Sequence, residues 1–286
     1  MKILITGFSG FLGNSIAKFF LKKKFEIIGL YNNKRPSNLS KNLKILKIDL
    51  RKKIPKIKFD ILIHCASRTH VNSIENSRLK SDNEKITKNI LKISSNCKKI
   101  FFISSLSVYG KIKDNFINEK TRILKPNIYG RSKLENEQLF IEYSKNHNIP
   151  LFIFRLPGVV GRNSHSNLIS NLFEKIKNKE KRIPIYNKNS NFNNIIHVDE
   201  ICNFILFILK RKFKNIFYIL LLSSKNPVRF LNVVKLIAKI NKKKINLIYK
   251  KSEKKSFLIK NDYARKIGFK PLSVKKTIEK FCKGNI

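Results

Sequence analysis

Lys2-Ile3-Leu4-Ile5-Thr6-Gly7-Phe8-Ser9-Gly10-Phe11-Leu12-Gly13 is the stretch whose reading decides the fold. An apolar run of strand length ends in three glycines spaced three apart, and a helical pattern follows at once. Gly7 permits a tight turn, Gly10 lets a phosphate approach the backbone, and Gly13 lets the following helix pack close to the strand. That helix turns its free N–H groups and positive dipole end toward the turn, where a pyrophosphate is welcome. The chain has only 10 glycines, so three of them here are informative. Gly7, Phe8, Gly10, Phe11, Leu12 and Gly13 are therefore expected to hold a dinucleotide cofactor.

Downstream, strand-length apolar runs alternate with helical patterns. Strands are expected at Lys2–Thr6, Phe25–Tyr31, Lys44–Ile48, Ile61–Cys65, Lys99–Ser104 and Leu151–Arg155. Helices are expected at Gly13–Lys24, Asn83–Asn96 and Tyr129–Asn146. This alternation implies an α/β fold with a doubly wound parallel sheet, whose ligands bind at the carboxyl ends of the strands. After Pro157 the rhythm loosens. Residues 162–194 read as loops over a cleft, apart from a helical pattern at Leu168–Ile176. A helix opens at His197-Val198-Asp199-Glu200 with Asp199 as its N-cap. A strand near Phe217 and helices at Phe230–Ile240 and Val274–Phe281 close the pattern. The expected division is residues 1–160, with a return segment 195–220, as the cofactor-binding part. Residues 161–194 and 221–286 form a smaller interlaced substrate-binding part.

The 286 residues carry 62 Lys+Arg against 18 Asp+Glu, a net charge of +44. Such a surface attracts phosphates and invites a nucleic-acid reading. Abundant Lys, Asn and Ile, few Gly and no Trp are instead what A/T-rich codons produce, and the cations are spread in short runs such as Lys22-Lys23-Lys24 and Lys242-Lys243-Lys244. Codon bias is the preferred origin, and nucleic acid is disfavoured as a partner. Cys65, Cys97, Cys202 and Cys282 lie far apart with no CxxC, so neither a metal site nor a disulfide framework is expected. That fits a reducing, cytoplasmic setting. No secretory leader is expected, and the longest apolar runs fall short of the roughly 20 residues that span a bilayer.

Tyr129-Gly130-Arg131-Ser132-Lys133 places a phenol and an ammonium at i and i+4, on one helix face. A phenol with a pKa near ~10 is a poor base at neutral pH. A nearby ammonium would stabilise phenolate and poise the group for acid–base work on a hydroxyl or ketone. Together with the GxxGxxG spacing, this resembles the extended short-chain dehydrogenase/reductase superfamily, whose members modify nucleotide sugars. The resemblance implies a Rossmann-like fold and an NAD(P)-dependent enzyme. Matching Val108-Tyr109-Gly110 to that family's Val-Tyr-Gly puts Ser105 at the catalytic serine position, with Ser107 as the fallback. The resemblance then implies that Ser105 binds the reacting oxygen, Tyr129 moves its proton, and Lys133 holds the nicotinamide ribose and tunes Tyr129.

Further matches cover the whole chain. Asp49-Leu50 resembles the pair contacting adenine, and Cys65-Ala66-Ser67 the loop passing under the cofactor. Asn83, at the expected start of a helix, Ser104 and Pro157 join the implied cofactor contacts. Arg155-Leu156-Pro157-Gly158 resembles the segment touching nicotinamide and substrate. Ile195-Ile196-His197-Val198-Asp199 resembles Phe-Ile-His-Val-Asp, with His197 structural. Asp262 to Pro271 resembles a C-terminal signature. The resemblance also implies a homodimer built on a four-helix bundle that includes the Tyr129 helix.

The departures are specific. NAD-binding members carry a carboxylate after the second strand, but Leu30-Tyr31-Asn32-Asn33-Lys34-Arg35 has none and two cations. Asn32 and Arg35 are therefore assigned to the cofactor, and NADP is favoured over NAD. The family's dehydratases carry Asp-Glu where Leu106 and Ser107 stand, so dehydration is disfavoured. Its epimerases often carry Asn where Gly158 stands. Arg162 and Arg182 are candidates to hold the substrate diphosphate instead. The expected function is hydride transfer at a carbon of a nucleotide-activated sugar, by a 4-keto-sugar reductase or an epimerase. The alternative is a cofactor-binding scaffold of the same family that turned its basic surface to RNA and kept little catalysis.

Overall fold

A computed structural model describes residues 1–33, 41–69, 76–180, 182–250, 252 and 255–285. They form two compact units, each assembled from separate stretches of chain. The first comprises Met1–Lys111, Arg122–Arg155 and Ile205–Leu220, and the second Ile112–Thr121, Leu156–Phe204 and Leu221–Ile286. The second unit thus starts earlier than residue 161 and claims residues 112–121, and the return segment begins at Ile205 rather than 195.

The first unit is built on a seven-stranded parallel sheet with flanking helices. In chain order its strands are β1 (Lys2–Thr6), β2 (Glu26–Tyr31), β3 (Leu43–Lys47), β4 (Ile61–His64), β5 (Lys99–Ser105), β6 (Leu151–Leu156) and β7 (Phe217–Leu221). Their spatial order is β7-β6-β5-β4-β1-β2-β3. β1, β4 and β6 are buried almost throughout, because helices cover both faces and alternation is not required. β3, at the sheet edge, has no fully buried residue: its two lysines are exposed and Leu43, Ile45 and Leu46 are half-buried. Leu4, Leu62, Ile100, Phe102, Phe140 and Ile153 anchor one core cluster of this unit. The crossover helices are α1 (Phe11–Lys22), α2 (Asn76–Lys92) and α3 (Ile128–His147).

Local chemistry sets the helix ends. α1 starts two residues earlier than expected because Gly10 is its N-cap, and the chain leaves the helix through Lys24 at φ 62°. α2 starts at Asn76 rather than Asn83. Its polar first turns lack the apolar period that marks a helix in sequence, so Asn83 lies about two turns inside it. α3 is capped by Asn127, whose Oδ1 accepts from Gly130 N at 2.8 Å.

The second unit packs α4 (Leu168–Lys177), α6 (Phe230–Ile240) and α8 (Val274–Lys283) around Phe173, Val234, Ile237, Ile278 and Phe281. α5 (Val198–Leu209) leads the chain back to the first unit, and α7 spans Asp262–Lys266. The N-cap of α5 is His197, not Asp199. His197 Nδ1 accepts from Asp199 N at 3.2 Å, and Glu200 Oε2 accepts from His197 N at 2.9 Å, a reciprocal capping arrangement. Asp199 pairs instead with Lys280 at 2.5 Å. The stretch expected as loops holds short strands: Ile183–Tyr186 pairs with Leu247–Lys250, and Asn191–Phe192 with Val228–Arg229. Their partners lie far along the chain, so no local pattern announces them.

Candidate active site

The glycine turn sits at the carboxyl end of β1, in the first unit. Gly7 adopts φ +66°, and a Cβ there would lie 2.8 Å from Ala66 N. A Cβ on Gly13 would lie 2.4 Å from Gly7 O. The turn therefore closes against the loop after β4, and α1 closes against the turn. Thr6 Oγ1 ties the same elements, lying 2.9 Å from His64 Nδ1 and accepting from Ala66 N at 3.1 Å. Gly10 caps α1 in an extended conformation and puts no side chain over the helix start. A tight glycine turn leading into a helix N-terminus that carries no capping side chain fits a dinucleotide pyrophosphate.

Several residues assigned to the cofactor by resemblance are otherwise engaged. Phe8 is fully buried, its ring occupies the space above Gly29, and its N–H donates to Leu30 O at 3.0 Å. The Leu50 side chain belongs to the core. Asp49 is held by Arg51, with Nη2 2.8 Å from Oδ2, and that pairing draws its carboxyl down to about 2. Asn83 is buried and clamps the loop after β4: its Oδ1 accepts from Arg68 N at 2.7 Å and its Nδ2 donates to Arg68 O at 3.1 Å. Its amide is thus spent on positioning that loop. Ser104 is buried with its hydroxyl on Glu137 Oε1 at 2.5 Å. By contrast, Cys65, Ala66 and Ser67 are half-buried beside the glycine turn, Asn32 is exposed at the end of β2, and Pro157 is half-buried where the second unit resumes. Arg35 lies outside the described residues.

Ser105 ends β5 and caps a short 3₁₀ turn, Leu106–Tyr109. Its Oγ accepts from Ser107 N and donates to Ser107 Oγ, both at 3.1 Å. The first turn of α3 packs directly on this turn, because Gly130 has no Cβ: one would lie 2.0 Å from Ser107 O. Gly130 thereby seats the start of α3 on the Ser107 backbone. One helical turn on, Lys133 is 2 % exposed. Its Nζ donates to Ile103 O at 2.8 Å and lies 4.9 Å from the Phe102 ring centroid and 5.9 Å from that of Tyr129. Burial draws Lys133 down to about 8 and pushes the Tyr129 phenol up to about 12. This reverses the lowering expected for Tyr129: desolvation of the phenolate outweighs an ammonium already committed to a carbonyl.

Behind these residues lies a group that the motif reading passed over. Glu137 and Arg155 form a buried pair, with Nε to Oε1 at 3.0 Å and Nη2 to Oε2 at 2.6 Å. Arg155 Nη1 also donates to Tyr109 Oη at 2.9 Å. Arg155 therefore faces the interior rather than a ligand, unlike the segment it resembles. The signal was the spacing: Tyr129, Lys133 and Glu137 recur every four residues, one stripe of a helix.

The second unit holds its own cavity of about 690 Å³. Ile169, Leu172, Ile183, Phe192 and Phe230 supply apolar walls, with the amides of Asn167, Asn171, Asn191 and Asn194 among them. Gly158 lies in the wall, and a side chain there would meet nothing closer than 3.7 Å. Neither Arg162 nor Arg182 lines this cavity, and both are exposed. Lys175 does line it but pairs with Glu180 at 3.2 Å. Among the described residues no helix is long and apolar enough to cross a membrane.

The sequence profile of the NAD dependent epimerase/dehydratase family matches residues 3–219. A dTDP-D-glucose 4,6-dehydratase of Dictyostelium discoideum is 31% identical over 242 residues, 73% of this chain and 56% of that protein. A UDP-glucose 4-epimerase of Pisum sativum is 35% identical over 167 residues, 50% of this chain and 48% of that protein. The chain spans about half the length of these curated relatives. The crystal structure of a UDP-glucuronic acid 4-epimerase from Bacillus cereus in complex with NAD superposes with a TM-score of 0.84, covering 99% of this chain and 96% of that one at 21% identity. That likeness establishes the fold, and the profile match over most of the chain establishes the lineage: this chain belongs to the NAD dependent epimerase/dehydratase family.

Proposed function

We propose that the protein transfers hydride at a carbon of a nucleotide-activated sugar, as a 4-keto-sugar reductase or as an epimerase that reduces its own keto intermediate. The observation that supports this reading is Lys133 Nζ, bonded to Ile103 O two residues before Ser105 and 5.9 Å from the Tyr129 ring centroid, on a helix that packs on Ser107 through Gly130. A dinucleotide held on the glycine turn supplies the hydride chemistry. Ser105 would donate to the reacting oxygen. Tyr129, protonated at neutral pH because burial holds it near 12, would hand that oxygen its proton as the carbonyl is reduced. Lys133 would keep a cation behind the phenol and anchor the ribose. Leu106 and Ser107 supply no carboxylate where a dehydratase needs an acid and a base, which supports reduction or epimerisation over water elimination. The cavity of the second unit, apolar with amide side chains, suits a nucleobase and its ribose. NADP is favoured over NAD, since Leu30 to Arg35 offers no carboxylate to a ribose 2′-hydroxyl and two cations to a 2′-phosphate.

The test uses purified protein with NADPH or NADH and UDP- or GDP-linked 4-keto-sugars, read by loss of cofactor absorbance, together with epimerisation of the parent sugars. Turnover that disappears in Tyr129→Phe while cofactor binding persists is expected. RNA binding that survives in Tyr129→Phe, in a protein that holds no nicotinamide cofactor and turns over no nucleotide sugar, would overturn the reading.

A further inference from the structure

We propose that Glu137, locked by Arg155, is a positioning residue that holds Lys133 and the Ser104–Ser105 strand end from behind the reacting face. This rests on the reading of Tyr129 and Lys133 as the reacting pair. Glu137 is fully buried, and every contact it makes ties a different element. Arg155 of β6 binds it through two nitrogens, and Ser104 of β5 donates to its Oε1. Arg155 carries the tie onward to Tyr109, which ends the turn that Ser105 caps. Glu137 also stands one turn beyond Lys133 on α3. Removing a buried charged pair in favour of apolar side chains is often neutral for stability, so a pair kept directly behind two reacting groups calls for another role.

The electrostatics around Lys133 supply that role. The titratable groups facing it are His64 on β4, Cys65 after β4, and Tyr129 and Glu137 on its own helix. β5 presents only the Phe102 ring and the Ile103 carbonyl. Burial draws His64 down to about 3 and pushes Cys65 and Tyr129 up to about 12, so all three are neutral near pH 7. Cys65 and then Glu137 are the neighbours that favour the Lys133 ammonium against its burial, and with the Cys65 thiol neutral near pH 7 the Glu137 carboxylate is the one left to act. Arg155 pairs with Glu137 through two nitrogens, and that pairing limits how strongly Glu137 acts on Lys133.

Lysine-labelled, cofactor-free protein allows the Lys133 titration to be followed directly by carbon-13 NMR, with the resonance assigned through Lys133→Met. This readout does not depend on which reaction the protein catalyses. A wild type without turnover on nucleotide sugars would sink the functional reading and leave this measurement intact. Glu137→Gln leaves Arg155 as an unbalanced buried cation, and the Lys133 midpoint is expected to fall on the order of one pH unit. Glu137→Gln combined with Arg155→Met removes that cation too, and the midpoint is expected to recover part of the fall yet stay below wild type, because the Glu137 charge is still missing. Damage to packing alone would make the double variant as bad as the single one or worse. If Glu137→Gln does not fold, Glu137→Asp decides, since it keeps the charge but withdraws it, and a smaller fall is expected. An unchanged midpoint in the single variant, or a further fall in the double, overturns the proposal.

Discussion

Replacing Gly130 by alanine tests the geometry of the site more sharply than replacing a reacting residue. The added methyl carbon would sit 2.0 Å from Ser107 O and 2.6 Å from Ser107 C, and both are backbone atoms that cannot rotate away. Non-bonded atoms do not settle below about 3 Å, so α3 and the Ser105–Tyr109 segment must separate by about 1 Å. Two stability effects oppose each other. Alanine favours a helix over glycine by about 1 kcal/mol, while forcing a methyl into a filled site costs about 1–3 kcal/mol. The net loss of about 0–2 kcal/mol should lower the thermal midpoint by only a few degrees in a chain of this size. Activity is the more sensitive quantity. A displacement of about 1 Å between groups that must meet one reacting oxygen costs on the order of 100-fold in kcat, or about 2.7 kcal/mol of barrier. Dinucleotide affinity, read by cofactor fluorescence, should fall far less than kcat, because the glycine turn stays in place and only the Lys133 ribose anchor moves with α3. Gly130→Ala with kcat within about threefold of wild type would refute the packing argument.

Further outcomes follow from the same geometry. Tyr129→Phe should lower turnover by about 10²–10⁴-fold and leave cofactor titrations unchanged, and retained turnover would remove the phenol from the chemistry. Gly7→Ala should abolish measurable cofactor binding, because its φ of +66° and a Cβ 2.8 Å from Ala66 N strain both backbone and loop; calorimetric titration checks it. His64 is buried neutral with its pKa drawn down to about 3 against 6.5 when unfolded. Between those values the unfolded chain binds the extra proton, so stability rises with pH, and the thermal midpoint should drop as pH falls below about 6.5. The drop should be shallower in His64→Gln, and parallel curves would exclude His64 as its source. Lys133, drawn down to about 8 against 10.5, acts in the same sense at higher pH, until Cys65, raised from 9.0 to about 12, opposes it above about pH 9: stability should climb between about pH 8 and 9, and this rise should vanish in Lys133→Met. Arg162→Ala and Arg182→Ala should leave UDP binding within about twofold, since neither lines the cavity of the second unit; a tenfold loss in either would restore it to the substrate site.

Much of the first unit was legible from sequence because its signals are local. The β1 run, the glycine spacing and the Tyr129–Lys133 interval each lie within a dozen residues, and each follows a fixed helical or strand period. α2 begins earlier than its sequence suggests because its first turns carry Ser, Arg, Lys and Asp, and Leu79 is the lone apolar residue there, too little to show a helical period. The short strands of the second unit were missed because pairing partners such as Ile183–Tyr186 and Leu247–Lys250 are distant in the chain. Phe8, Asn83 and Ser104 stand at motif positions, yet whether such a side chain meets a ligand or a neighbour depends on what packs beside it. Here Gly29, Arg68 and Glu137 claim them.

By itself the sequence determined the fold class and singled out the glycine turn, with Tyr129 and Lys133 one helical turn apart as candidates. Spacing along a helix or strand dictates which side chains share a face, and that requires only local geometry. Only the tertiary structure decided the protonation of those groups and the service that surrounds them. Tyr129 is raised rather than lowered, Lys133 is spent on a carbonyl, and Glu137 and Arg155 are paired behind both. A pKa depends on burial and on charges delivered by other strands, and a close approach such as Gly130 on Ser107 exists only once those strands are assembled.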